Sequence, residues 1–120
     1  MAQGAPDEIR LSADKRTLTV VFGGESLAIP AELLRVESPS AEVQGHDPSQ
    51  KQLVSGKREV EIIGIEPVGN YAVRLRFDDL HATGIYTWPL LARMGREGGA
   101  LMAAYDEAVR AAGRSRERGG

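Results

Sequence analysis

Cysteine is absent from the 120-residue chain. That excludes disulfides, thiolate zinc sites, cysteine-ligated iron–sulfur clusters and a cysteine nucleophile. Histidine is scarce: His46 and His81 are the whole supply, and neither begins a His-x-Asp or His-x-Glu pair. A non-haem iron oxygenase needs two histidines and a carboxylate in one facial set, so that chemistry is not expected. Positive charge is not in excess either. A net charge of −2 argues against a nucleic-acid binder that works by bulk electrostatics. No apolar run approaches the roughly 20 residues needed to span a bilayer. Met1 to Glu8 lacks a basic segment followed by an apolar one, so no secretory signal is expected and the reading is a soluble cytoplasmic protein. There is no Gly-x-x-x-x-Gly-Lys-Ser/Thr loop and no Gly-x-Ser-x-Gly elbow, and Gly23-Gly24 and Gly98-Gly99 are too short to cradle a phosphate.

What remains is an ordinary globular composition, with 42% apolar and 27% charged residues in a length that suits one domain. The division expected is a disordered N-terminus over residues 1–7, one domain over 8–113, and a flexible basic tail over 114–120. From Glu8 the apolar residues alternate. Ile9 and Leu11, then Leu18, Val20 and Phe22, predict a hairpin with one buried face around the turn Ser12–Arg16. Gly23-Gly24-Glu25 predicts a second turn, and Leu27 and Ile29 a short third strand. Pro30–Arg35 reads as one helical turn with proline at its first position. Glu37 to Arg58 is polar, broken by Pro39, Gly45, Pro48 and Gly56, and reads as a long loop whose length favours mobility.

Val60–Ile65 is β-branched and predicts a strand, with Glu66–Asn70 as the turn after it. Tyr71, Val73, Leu75 and Phe77 are expected on an apolar face, opposite Ala72, Arg74, Arg76 and Asp78. Gly84 to Trp88 is extended. Thr87 is placed to cap a helix from Pro89 to about Gly95. Gly98-Gly99 separates it from a second helix, with Leu101, Tyr105, Ala108 and Ala112 on one face and Gly113 as cap. Strands followed by helices, without β-α-β alternation, predict an α+β two-layer sandwich: an antiparallel sheet with the C-terminal helices on one face.

The densest group of polar chemistry is Phe77-Asp78-Asp79-Leu80-His81-Ala82-Thr83-Gly84-Ile85-Tyr86-Thr87-Trp88. Asp78, Asp79 and His81, with His46, are the weak metal candidates, because carboxylate plus imidazole suits iron, manganese or zinc. The bland alternative is favoured: the two aspartates cap a turn and His81 hydrogen-bonds the backbone. Tyr71 is read as core, and Trp88 as a core plug in preference to a partner anchor. Arg74 and Arg76 are expected to pair across the sheet with Glu59 and Glu61, the other option being recognition of a carboxylate or phosphate. Arg110, Arg114, Arg116 and Arg118 make the C-terminus basic against Glu117 alone, as a solvated tail.

Several segments occur in an order that carries a family resemblance. These are Glu8–Leu11, Leu18–Phe22, Ile29–Arg35, Ser38–Glu42, Val68–Ala72 and Phe77–Trp88. Together they resemble the gamma-butyrobetaine-hydroxylase-like N-terminal domain, over roughly residues 6 to 95. The resemblance implies three settings: ahead of an iron- and 2-oxoglutarate-dependent oxygenase domain, behind some plastid Mrp-type ATPases, or alone in bacteria, and this chain looks like the last. It also implies a structural zinc held in the hydroxylases by Cys-Pro-Cys-x-x-Cys and a later histidine. The matching positions here are Ser38, Ser40, Val43 and His81, so three of four ligands are replaced by non-ligands and no zinc or other cofactor is expected. The glycine usual before the histidine is Leu80, so the turn is expected to differ. Arg35 matches the family and is read as an anchor for the loop.

The resulting functional expectation is a non-catalytic binding or adaptor module linked to iron-dependent oxygenases or iron–sulfur assembly. Its partner is an unidentified protein, and membrane and nucleic acid are not expected partners. The candidate surface is Arg35, Asn70, Asp78, Asp79, His81, Thr83, Tyr86 and Trp88, together with the Glu37–Arg58 loop. The alternative is a metal-binding, oxidoreductase-accessory protein that uses His81 and the neighbouring carboxylates.

Overall fold

A computed structural model describes residues 4–45 and 51–117 of the chain. The first three strands, β1 (Glu8–Leu11), β2 (Thr17–Phe22) and β3 (Glu25–Pro30), form an antiparallel sheet in chain order. Ile9 lies opposite Val20, and Val20 opposite Leu27. Leu18, Val20 and Phe22 are buried as their period-two spacing predicts. The β1–β2 turn is held by Asp14, whose carboxylate accepts from the Ser12 hydroxyl at 2.6 Å and the Arg16 N–H at 3.0 Å.

Helix α1 (Ala31–Val36) follows directly. Pro30 is its N-cap and the last residue of β3, with φ −64° and ψ 140°, rather than the first helical residue. The long connection after α1 contains one short helical turn, α2 (Ala41–Gln44). His46 and Pro48 lie outside the described residues.

A second antiparallel sheet is made of β4 (Ile62–Val68), β5 (Ala72–Phe77) and β6 (Ile85–Thr87), in that order. Two expectations are corrected here. The turn is the pair Gly69-Asn70 with Gly69 at φ 53°, because β4 runs on through Glu66 and Pro67 to Val68. An edge strand tolerates Pro67, whose missing N–H faces outward. Tyr71 therefore sits at the turn and is 51% exposed, not core, while Ala72 is buried. The register brings Arg74 opposite Glu66, not Glu59 or Glu61. Arg76 makes only a long contact to Glu66, at 3.9 Å. The tight turn sets that register by pairing Val68 with Ala72, and the one-residue shift between Ile62 and Gly64 lies further along the ladder.

Thr87 caps α3 (Trp88–Arg96) as predicted, its hydroxyl accepting from the Leu90 N–H at 3.4 Å. Helix α4 (Gly98–Ala111) begins within the Gly98-Gly99 pair instead of after it. Its buried residues are Tyr105 and Val109, whereas Ala108 and Ala112 are exposed. Helix α3 packs on β2, β3 and β6, and α4 packs on α3 and α1. Gly95 permits the close fit of α3, since a Cβ there would lie 2.6 Å from Leu27 Cβ. One core joins both sheets, α1 and α3 through Leu18, Ile29, Leu34, Leu75, Phe77 and Leu91, among others. Trp88 belongs to it, as the plug reading expected. The architecture is α+β, with the antiparallel strands divided into two three-stranded sheets and the two longer helices, α3 and α4, C-terminal.

The basic tail is tied to the body as far as Glu117. The Ser115 and Arg116 carbonyls accept from the Gly56 and Arg58 N–H groups, each at 2.9 Å. Arg116 grips Glu32 with two bonds, at 2.7 and 2.6 Å. Glu32 is 5% exposed, and this pairing makes its burial affordable. Arg118 lies outside the described residues. Among the described residues, no helix is long and apolar enough to cross a membrane.

Candidate functional site

The segment after β5 folds back on itself. The Phe77 N–H donates to the His81 carbonyl at 2.9 Å, and the Leu80 N–H to the Phe77 carbonyl at 3.1 Å. This is the bonding of a three-residue hairpin loop, whose last residue is left-handed. That residue is Leu80, at φ 74°. The turn therefore keeps a conformation that favours glycine, at some steric cost to leucine. Its side chain gains nothing in return, being 89% exposed.

Asp78 and Asp79 are both spent on this turn. Asp78 closes it against the residue just before β4, its carboxylate accepting from the Glu61 N–H at 3.1 Å and its own N–H donating to the Glu61 carbonyl at 2.9 Å. Asp79 sits between two cations. Its Oδ2 accepts from Arg35 Nε at 2.8 Å and lies 2.6 Å from Lys57 Nζ, while Oδ1 accepts from the His81 N–H at 3.1 Å. Burial alone would push the Asp79 carboxyl up. The Lys57 ammonium, the His81 N–H and the Arg35 guanidinium outweigh it and hold the carboxyl at about 2. Arg35 thus anchors the Asp79 turn to the end of α1. One of its guanidinium nitrogens, Nη1, is buried without a hydrogen-bond partner among the described residues.

His81 points inward. Its Nε2 is hydrogen-bonded to the Ser38 hydroxyl at 2.9 Å and lies 3.4 Å from the Ser40 hydroxyl. All three side chains are buried. The Phe77 ring lies against the imidazole, with centroids 6.1 Å apart. Tyr86 completes the floor: its hydroxyl donates to the Leu34 carbonyl, and burial pushes its acidity far down. Val43, one turn beyond Ser40, is buried as well.

The positions carried over from the resemblance do converge: Ser38, Ser40 and His81 meet, with Val43 next in the same turn. The side chains present do not fit zinc. Serine hydroxyls stay protonated at neutral pH, and valine has no lone pair to give. Among the described residues, no group of three or more histidine, aspartate or glutamate side chains stands together as a metal-holding set.

The remaining candidates lie elsewhere. Asn70 and Trp88 meet at the opposite end of β5, where Trp88 Nε1 donates to the Asn70 carbonyl at 2.9 Å. Six strand residues separate that pair from the Asp79 turn, a distance of about 20 Å. Thr83 is exposed beside Gly84. The candidate surface is therefore two separate regions. A groove of about 690 Å³ lies between residues 51–54 and helices α3 and α4, lined by Val54, Met94 and Tyr105 among others; part of the candidate Glu37–Arg58 loop walls it, but none of the individually named candidates does.

Sequence reasoning missed Lys57, which the loop delivers to Asp79, and the Glu32–Arg116 pair. Glu32 had one visible signal, an acid inside the apolar run Ala31–Leu34. Lys57 and Arg116 had none.

Against this geometry the comparisons with known proteins can be set. The model of the family described as gamma-butyrobetaine hydroxylase-like, N-terminal, matches residues 9–92. The chain belongs to that family. Two proteins with solution structures determined by NMR are each 42% identical to it. The first covers 99% of this chain and 94% of its own, with a TM-score of 0.86, and the second 96% and 86%, with a TM-score of 0.81. A protein of unknown function from Acidithiobacillus ferrooxidans, known from a crystal structure, is 40% identical over 75% of this chain and 91% of its own, with a TM-score of 0.63. No curated protein matches the chain. The family has the fold described above and brings no assigned reaction with it.

Proposed function

We propose that this domain is a non-catalytic adaptor of the cytoplasm, which offers the Asp78–His81 turn to a protein partner. The observation that carries the reading is Leu80. A large apolar side chain stands 89% exposed in a left-handed backbone conformation, on a turn whose two neighbours, Asp79 and His81, are both fixed from behind. A surface leucine on an ordinary backbone needs no explanation, whereas backbone strain of this kind clusters at functional sites. The polar groups that might have done chemistry support the same reading, because Asp79 is saturated by two cations and an N–H, and Nε2 of His81 faces buried hydroxyls. The metal-accessory alternative has less behind it, for the same reason.

The partner class is carried over from the resemblance, with an iron-dependent hydroxylase as the first candidate and an iron–sulfur assembly protein as the second. The test pairs the parent domain and Leu80→Gly with a purified iron- and 2-oxoglutarate-dependent hydroxylase in titration calorimetry, and with cell extract in affinity capture. Glycine keeps the left-handed turn and deletes only the side chain. The adaptor reading expects a partner bound by the parent and lost by Leu80→Gly at unchanged fold. A partner retained equally by Leu80→Gly and Asp78→Ala would move the surface elsewhere.

A further inference from the structure

A metal does not fit the residues at 38, 40, 43 and 81, yet those residues still converge, and that disagreement calls for its own account. Ser38 and Ser40 come from the connection after α1, and His81 from the turn after β5, 43 and 41 residues further along the chain. Apart from these contacts, the N–H of Ser40 also reaches the Ser38 hydroxyl, at 3.4 Å. Every one of these polar groups is out of water, so their hydrogen bonds must be made within the fold. The backbone is shaped around them. A Cβ on Gly84 would lie 2.5 Å from the Ser38 oxygen and 3.0 Å from the Tyr86 ring, so position 84 has room for no side chain while Ser38 is in place. From below, Gln44 Nε2 donates to the Ser38 carbonyl at 2.9 Å, and the Val43 and Gln44 N–H groups donate to the Ser40 carbonyl at 3.1 and 3.0 Å. The loop is thus wound as a compact turn that presents Ser38 and Ser40 toward one imidazole.

We infer that Ser38, Ser40 and His81 form a metal-free clasp, which fastens the loop after α1 to the β5–β6 turn. The clasp does by hydrogen bonding what a bound ion does by coordination: it joins two segments distant in sequence and orders both. The inference does not depend on the adaptor reading.

Two measurements on the full chain decide it. The parent, stripped with chelator, is melted with and without excess zinc, and the two midpoints are expected to coincide. The Ser38→Ala/Ser40→Ala double variant is followed by amide exchange. The Val43, Gln44 and His81 amides are expected to exchange roughly tenfold faster or more, while those of β2 keep their protection. Zinc that raises the parent's midpoint would mean that the site takes metal after all. Exchange in the double alanine variant as slow as in the parent would mean that the hydroxyls clasp nothing.

Discussion

Asp79→Asn is the sharpest perturbation of this domain. Asparagine keeps an oxygen for the His81 N–H and removes only the charge shared by Arg35 and Lys57. The carboxyl's displacement from its ordinary 3.8 to about 2 corresponds to roughly 2 kcal/mol of stability at neutral pH. Removal of the charge also leaves two cations facing each other. Lys57 can swing its amine into water, but the Arg35 side chain is only 13% exposed and already has one unpartnered nitrogen. The combined cost expected is about 2–4 kcal/mol, the lower part of the range for breaking a buried pair, because this one is partly open to solvent. The pH dependence follows from the sign of the displacement. The native carboxyl binds its proton later than the unfolded one, so its contribution is complete above about pH 4 and is lost as pH falls through about 2. Urea denaturation of parent and variant, at neutral pH and in steps down to about pH 2, should show a wide gap that closes toward acid. Equal stability at neutral pH, or a gap that persists undiminished in acid, would refute the assignment of Asp79 as a charge clamp.

Further outcomes follow from the same geometry. Leu80→Gly relieves a left-handed conformation worth about 1–2 kcal/mol and gives back roughly half of that as glycine's chain entropy. A thermal midpoint equal to or a few degrees above the parent's is expected, and a clear fall would mean that Leu80 packs on something. Gly84→Ala drives a methyl into Ser38 and Tyr86 and should cost about 1–3 kcal/mol, read by chemical denaturation. Arg116→Ala strands the buried Glu32 carboxylate and should cost about 3–5 kcal/mol, whereas Glu32→Gln/Arg116→Met, which removes both charges, should cost much less. Amide exchange at Gly56 and Arg58 reads the release of the tail directly, since these are the N–H groups it accepts from.

The parts of the fold that were legible are those governed by neighbours in the chain. Leu18, Val20 and Phe22 announce a half-buried strand because period two is a local property, and Thr87 before Pro89 announces a helix start because the cap needs only three residues. Tyr71 was misplaced because the β4–β5 hairpin turns at Gly69-Asn70, and a strand that begins one residue later sends the tyrosine to solvent. Arg74 and Arg76 were given the wrong partners for the same reason, because a turn at Gly69-Asn70 pairs Val68 with Ala72 and so brings Glu66, not Glu59 or Glu61, opposite Arg74. In α4 the choice of Val109 over Ala108 as the buried position depends on what the helix lies against, not on its own spacing. The candidate site was half legible. Asp78, Asp79 and His81 stood out by density, and the resemblance tied His81 to positions 38, 40 and 43. What the residues do together was not legible, because Arg35 and Asp79 are 44 residues apart and Lys57 reaches them from a third segment.

The Glu32–Arg116 pair bears on how the chain is born. Its members are 84 residues apart, and Glu32 belongs to the first helix to form after the opening hairpins. A chain synthesised from its N-terminus at some 5–20 residues per second presents that acid several seconds before its cation exists. Until Arg116 emerges, the segment holding Glu32 must leave the carboxylate in water, since burying it unpaired is costly. A ribosome-stalled chain halted before Arg116 should therefore hold its first sheet but leave α1 unsettled, and the last residues made would be the ones that close the first element built.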